Sequence, residues 1–320
     1  MPILKLTAAL KDYLWGGTAL KTEFYKQTEL AKVAESWELS CHPDGPSVIC
    51  GGACDGLPLS DYIRQAGRGV LGENCARFDD FPILIKLIDA KDNLSIQVHP
   101  ANDYALRVEG GYGKTEMWYI VGCEKGAQLF YGFKNEITKE EFQRHIEQNT
   151  LETALNRVAV NKGDVFFIDA GTIHAIGRGI LIAEIQQNSN TTYRVYDYGR
   201  VGADGKPRAL HVPKALDVTV TAPPRPSSLP DITPTAHDGY TLRKLARCGY
   251  FTVHAAEITK SAAFTADGAS FHSILCLEGQ GMLSGAGERH EIKKGDSFFI
   301  PAGLGEYTLS GGMTVIKTTI

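Results

Sequence analysis

Short runs of apolar residues, some continuous and some alternating with polar ones, dominate the chain. They predict strands over Phe81 to Ile88, Leu94 to Val98, Met117 to Val121 and Phe271 to Leu277. Helical patterns are fewer. Thr138-Lys-Glu-Glu141 is a capping-box sequence that opens a helical insertion around 138–157, carrying Phe142, Ile146, Leu151 and Leu155. Pro100 to Val108 and Val212 to Val218 read as short helices, and Pro213 suits a first helical turn. Many short strands joined by Gly-rich turns predict a mainly β protein, either a barrel or a double-sheet jelly roll.

The pattern repeats. Gly163 to Gly171 reads GDVFFIDAG and Gly295 to Gly303 reads GDSFFIPAG, with seven identities and no gap. Each is an apolar strand opened by Gly-Asp and closed by a small-residue turn, which predicts two copies of one β architecture. Between them, Thr221 to Ala236 holds five of the fourteen prolines, too many for the interior of a helix or sheet. The expected organisation is therefore a first domain over 1–220, a Pro-rich linker over 221–236 and a second domain over 237–320.

Composition narrows the class. Charged residues are 22% and hydrophobic residues 43% of the 320 positions, as in an ordinary soluble globular protein, and the net charge is -4. That balance favours neither nucleic acid nor an anionic membrane as a partner, so an anionic substrate must be met by local Lys and Arg. No apolar run approaches the ~18 residues of a membrane span, and Lys5, Lys11 and Asp12 interrupt any signal-peptide core, so a cytoplasmic location is expected. The seven cysteines include no CxxC pair. Cys41, Cys50 and Cys54 with His42 lack the paired zinc spacings, and reduced cysteines are the expected state. Oligomeric state is not legible; a monomer is compatible with everything above.

The candidate chemistry lies in Leu94-Ser-Ile-Gln-Val-His99-Pro100. Alternation in a strand sends Leu94, Ile96 and Val98 to one face and Ser95, Gln97 and His99 to the other. Glu116 opens the next apolar strand, where a buried carboxylate needs a partner, and His174 follows the turn after the first Gly-Asp strand. Singly, each has an ordinary structural explanation: a hydrogen-bonded histidine, a polar residue at a barrel mouth, half of an ion pair. Jointly, two imidazoles, a carboxylate and an amide oxygen are acceptable ligands for Zn²⁺ and other divalent first-row metals. One carboxylate against a dication leaves about one net positive charge, suited to an enediolate forming alongside.

Glu116 to Gly122 resembles the end of the first cupin motif, and Gly163 to His174 the second, with Asp169 where cupins usually have Pro. LSIQVHP, GKTEMWYIV and NSNTTYRVYDYGR resemble segments of the type I phosphomannose isomerases, and DYLWGG and ESWELSCHPDGPS its short bacterial branch. The resemblance covers most of the chain, densest from Asp12 to Arg200. It implies two cupin domains, one Zn²⁺ per chain held by Gln97, His99, Glu116 and His174, and an active site that includes Lys86, Lys114 and Arg194. The implied substrate is a small sugar phosphate, with mannose 6-phosphate and fructose 6-phosphate interconverted through a cis-enediol.

Within that reading Lys114 is the first choice for proton transfer, with phosphate binding as the competing role, and Arg194 stabilises developing negative charge. Lys86, inside Ile83-Leu-Ile-Lys-Leu87, either enters a polar cavity or snorkels to solvent. Asn190, expected to contact substrate, stands where longer family members carry an acid, and an amide cannot act as a base. Two rivals remain at this stage: a cupin oxygenase, because two His and one carboxylate also make an iron triad, and a non-catalytic sugar-phosphate-binding cupin. Across the repeat His174 aligns with Glu306, and the second copy lacks a Gln-x-His pair. It is expected to be metal-free, with His272 and His290 on the surface or internally satisfied.

Overall fold

The computed structural model describes residues 1–202, 205–224 and 233–320. The chain is mainly β and forms two compact units, one of Asp12–Gly17 with Ile88–Leu229, the other of Met1–Lys11, Thr18–Leu87 and Pro230–Ile320. These units divide the chain differently from the expected 1–220, 221–236 and 237–320. Residues 1–11 and 18–87 join the C-terminal segment, because Leu4–Thr7 pairs antiparallel to Ser297–Ile300 and Val48–Cys50 extends the same sheet beyond it. Of the expected linker, residues 225–232 lie outside the described residues. Pro234–His237 is an edge strand paired with Tyr240–Arg247. Proline is compatible with that position, since it opens the strand and the strand has a neighbour on one side only.

In the unit that holds the candidate ligands, one sheet runs in the order Tyr193–Tyr196, Ile96–Val98, His174–Ala175, Gln128–Phe133, Leu155–Ala159. A second contains Val165–Ile168, Glu116–Cys123 and Ile180–Gln187, also antiparallel. Period-2 alternation sorts the first sheet into two faces. Ile96, Val98, Ala175, Tyr193 and Val195 pack on Phe142, Leu151 and Ala215 of three helices. The helical insertion accounts for two of these. Lys139–Glu147 begins with the capping box, the Glu141 amide donating to Thr138 Oγ1 at 3.1 Å and the Thr138 amide to Glu141 Oε2 at 2.8 Å. Leu151–Ala154 follows, and the helical insertion stops at Ala154, short of the expected 157, because Leu155 already belongs to a strand. The opposite face of the sheet carries Gln97, His174 and Tyr131, whose hydroxyl donates to the Phe167 carbonyl at 2.6 Å.

The other unit contains a ten-stranded antiparallel sheet whose long strands His272–Gly285 and Gly305–Thr319 bend to serve several neighbours. Its core runs through Ala256, Ile258, Ile274, Cys276, Phe298, Ile300, Met313 and Val315. The sequence repeat is a repeat of register. Ile168 pairs with Glu116 and Phe166 with Trp118; Ile300 pairs with His272 and Phe298 with Ile274.

Candidate metal centre

Gln97 is the hub. Its Cα partner on one side is His174 and on the other Arg194. Directly opposed residues of antiparallel strands share a face, so an imidazole, an amide and a guanidinium project together. His99, two positions on from Gln97, is on the same face. Glu116 meets them from the second sheet.

His99, Glu116 and His174 are all buried, and their ligand atoms lie within 4.8 Å of one another. His174 Nε2 is 3.4 Å and His99 Nε2 3.7 Å from Glu116 Oε1. His99 Nδ1 sits 2.9 Å from the Thr191 carbonyl and His174 Nδ1 2.9 Å from the Thr172 carbonyl. A carbonyl only accepts, so both rings carry their proton on Nδ1 and turn an Nε2 lone pair toward Glu116. Burial, reinforced by the Lys114 charge, pushes His174 down to about 4, which keeps its ring neutral at pH 7. Gln97 lies beside them, its amide nitrogen 3.5 Å from His174 Nε2 while its oxygen accepts from Ser95 Oγ at 3.2 Å. A half-turn of the amide about its last side-chain bond exchanges the two atoms at little steric cost and brings the oxygen into the cluster. Two imidazoles with their Nδ1 atoms committed to carbonyls, one carboxylate and an amide oxygen are a donor set that fits a divalent cation.

Lys114 is buried and pairs with Glu116 Oε2; its ammonium is 3.2 Å from His99 Nε2 and 3.6 Å from Glu184 Oε1. Glu184 was not singled out from sequence. It is fixed by Trp118, whose indole N–H donates to Glu184 Oε2 at 3.1 Å, and the Trp118 ring meets His174 edge-on at 5.3 Å. The signal was present: an acid inside the otherwise apolar run Ile180-Leu-Ile-Ala-Glu184-Ile185, the same anomaly that drew attention to Glu116.

Arg194 is half-buried. Its Nη1 donates to the Ala209 carbonyl at 2.9 Å, while its Nε is buried with no hydrogen-bond partner. Burial and then the positive charge of Arg208 lower its pKa. Asn190 is exposed in the segment between the two sheet strands that end at Gln187 and begin at Tyr193. Lys86 belongs to the other unit, where it is buried rather than snorkelling, 3.3 Å from Glu35 Oε2 and over the Trp37 ring at 4.8 Å.

A cupin architecture presenting two imidazoles and a carboxylate on its inner face defines a metal-competent cupin. The family is narrower. Residues 3–113 match the family described as phosphomannose isomerase type I, catalytic domain, and residues 241–320 match the mannose-6-phosphate isomerase cupin domain. The mannose-6-phosphate isomerase ManA of Bacillus subtilis (strain 168) is 39% identical over 305 residues, 94% of this chain and 93% of that protein. The mannose-6-phosphate isomerase of Streptococcus mutans is 35% identical over 98% of this chain and 97% of that protein. The crystal structure of the mannose 6-phosphate isomerase from Bacillus subtilis superposes with a TM-score of 0.93 at 35% identity, covering 100% of both chains. The chain belongs to the type I mannose-6-phosphate isomerase family.

Proposed function

We propose that this chain is an aldose–ketose isomerase that interconverts mannose 6-phosphate and fructose 6-phosphate, with Gln97, His99, Glu116 and His174 holding one Zn²⁺. The observation that carries the proposal is the pair of imidazoles whose Nδ1 protons are committed to the Thr191 and Thr172 carbonyls, leaving both Nε2 atoms beside Glu116. Bound there, a divalent cation supplies positive charge next to the substrate oxygens.

The chain's own groups do the rest. Lys114 is the group assigned to take the proton from C2 of the open-chain sugar, and the C1 carbonyl oxygen is protonated to give the cis-enediol. Return of a proton to C1, with loss of the C2 hydroxyl proton, gives the ketose. Arg194 brings an unspent N–H and a fixed positive charge, suited to negative charge on the enediolate oxygens or to the phosphate. Glu184 and Trp118 hold Lys114 and His174 in place. Asn190 and Lys86 are assigned to substrate contact. The family membership weighs against the oxygenase reading, and retention of all four ligand residues weighs against a sugar-phosphate-binding protein without activity.

The test is turnover of mannose 6-phosphate by metal-stripped protein with and without added Zn²⁺. The expected result is fructose 6-phosphate formation restored by Zn²⁺ and abolished in His99→Ala. Undiminished turnover in the stripped protein would overturn the metal assignment, and Zn²⁺ binding without turnover would overturn the reaction.

A further inference from the structure

The second cupin domain repeats the register of the first with basic residues in place of acidic ones. In the first, Ile168 pairs with Glu116, and Glu184 pairs with Trp118 two positions along. In the second, Ile300 pairs with His272, and Lys317 pairs with Ile274 two positions along. His272 thus stands at the position of Glu116, and Lys317 at that of Glu184. Two carboxylates facing the barrel interior have become an imidazole and an ammonium.

A third basic group joins them. His254 is the Cα partner of Lys317 on its other side, and alternation puts His254 and Lys317 on the face that carries Ala256, Ile258, Met313 and Val315 into the core. His272 lies on the same face as Ile274 and Cys276. Three adjacent strands therefore direct three basic side chains to one end of the same interior. Lys317 is half-buried over the Phe264 ring at 5.5 Å, and it makes no ion pair with a described residue. His254 Nδ1 is buried without a hydrogen-bond partner. His272 is buried, its Nδ1 2.8 Å from the Tyr307 hydroxyl. With that phenol donating, the neutral ring carries its own proton on Nε2 as a further donor.

A cationic group partly withdrawn from water with no counter-ion among the described residues is costly, and the same arrangement favours an anion that supplies the missing charge. Burial followed by the Lys317 charge pushes His272 down to about 3 and His254 down to about 4. Lys244 adds positive charge near His254, and the one acid acting on His272 is the exposed Asp267. We infer that His254, His272 and Lys317 form a binding site for a small oxyanion, a phosphate group either free or carried on a small organic molecule, inside the second barrel.

The measurement is the NMR signal of the histidine rings, with His272→Asn and His254→Asn used to assign them. In metal-stripped protein, inorganic phosphate and fructose 6-phosphate are titrated separately. Saturable movement of both rings with inorganic phosphate assigns the free ion; movement with the ester alone assigns the carried group. Lys317→Met is expected to weaken that response at least about tenfold while isomerase turnover stays at the unsubstituted value. Lys317→Gln serves the same purpose if the Met variant does not fold. Rings that do not move with either titrant, or that move equally without Lys317, would overturn the site whatever the outcome at His99 and Glu116.

Discussion

His99 is oriented by Thr191: the ring nitrogen and the backbone carbonyl are 2.9 Å apart across 92 positions of sequence. A carbonyl in a connecting segment thereby decides which nitrogen of a candidate ligand is available. That segment is itself pinned, because Gln186 donates from its buried amide to the Ser189 carbonyl at 2.6 Å and the Gln187 carbonyl at 2.7 Å. Ser189 Oγ in turn accepts from the Thr191 amide at 3.3 Å. Gln186→Leu removes the pin without touching a ligand. The expected outcome is a metal affinity weaker by about 10–100-fold, with turnover recovered at saturating Zn²⁺. Competition against a metal-sensitive dye, read beside activity, separates this from a general loss of fold.

Lys114 separates chemistry from binding. Lys114→Met, with zinc content verified, is expected to lower kcat by about 10²–10⁴-fold with little change in KM. A raised KM at undiminished kcat would sink the proton-transfer role and leave phosphate binding. The variant also deletes the ammonium that pairs with Glu116 and approaches Glu184, so metal content must be measured rather than assumed.

Asp197 sets a pH dependence. Burial raises its pKa, but bonds from Arg208 and Arg200 outweigh burial and hold the carboxyl below its ordinary value; Arg208 Nε is 2.8 Å from Oδ2. A depressed folded pKa means stability that is present above the ordinary carboxylate value and lost as pH falls toward the folded one. Asp197→Asn is expected to cost about 1–3 kcal/mol at pH 7, since two part-buried guanidinium groups lose a charged hydrogen-bond partner. Denaturant unfolding at a series of pH values should show the gap between the variant and the unsubstituted protein begin to narrow at about pH 4 and keep narrowing as the pH falls further. A constant gap down to low pH would refute the linkage.

Two equivalent glycines should differ. Gly163 and Gly295 open the repeated strands with φ of 90° and 92°, where a side chain is strained in either. A Cβ at Gly163 meets nothing within 4 Å, whereas one at Gly295 would lie 2.3 Å from the Phe24 carbonyl oxygen. Gly163→Ala is expected to cost about 1–2 kcal/mol from backbone strain, and Gly295→Ala measurably more. Equal unfolding midpoints would show that the Phe24 segment yields freely.

Much of this arrangement was legible because β structure writes itself with period 2. The alternation of Leu94, Ile96 and Val98 against Ser95, Gln97 and His99 predicted which side chains enter the apolar core and which share the face turned toward Glu116 and His174. Thr138 and Glu141 announced their helix by a bond pattern confined to four residues. What could not be read was pairing across long separations. Nothing near Leu4 says that its neighbour is Phe299, so the division of the chain into 1–220 and 237–320 missed the return of the N-terminal segment to the C-terminal sheet. The same blindness hid His272: its meaning lies in the partner Ile300, and only the register makes it the counterpart of Glu116.

That long-range pairing carries a cost in time. The Ile3 amide donates to Glu288 at 2.9 Å across 285 positions. At ribosomal speeds of about 5–20 residues per second, roughly 15 to 60 s separate the emergence of the two ends of this contact. Closing so long a loop adds only logarithmically to the entropy penalty, so the delay is a matter of kinetics more than of equilibrium. Throughout that interval Leu4–Thr7 has an unfilled edge toward Ser297–Ile300, and an open edge is a template for another nascent chain. The cell's demand for this protein is therefore met under a hazard set by translation: crowded polysomes and high temperature should reduce the folded yield well before they trouble the finished molecule.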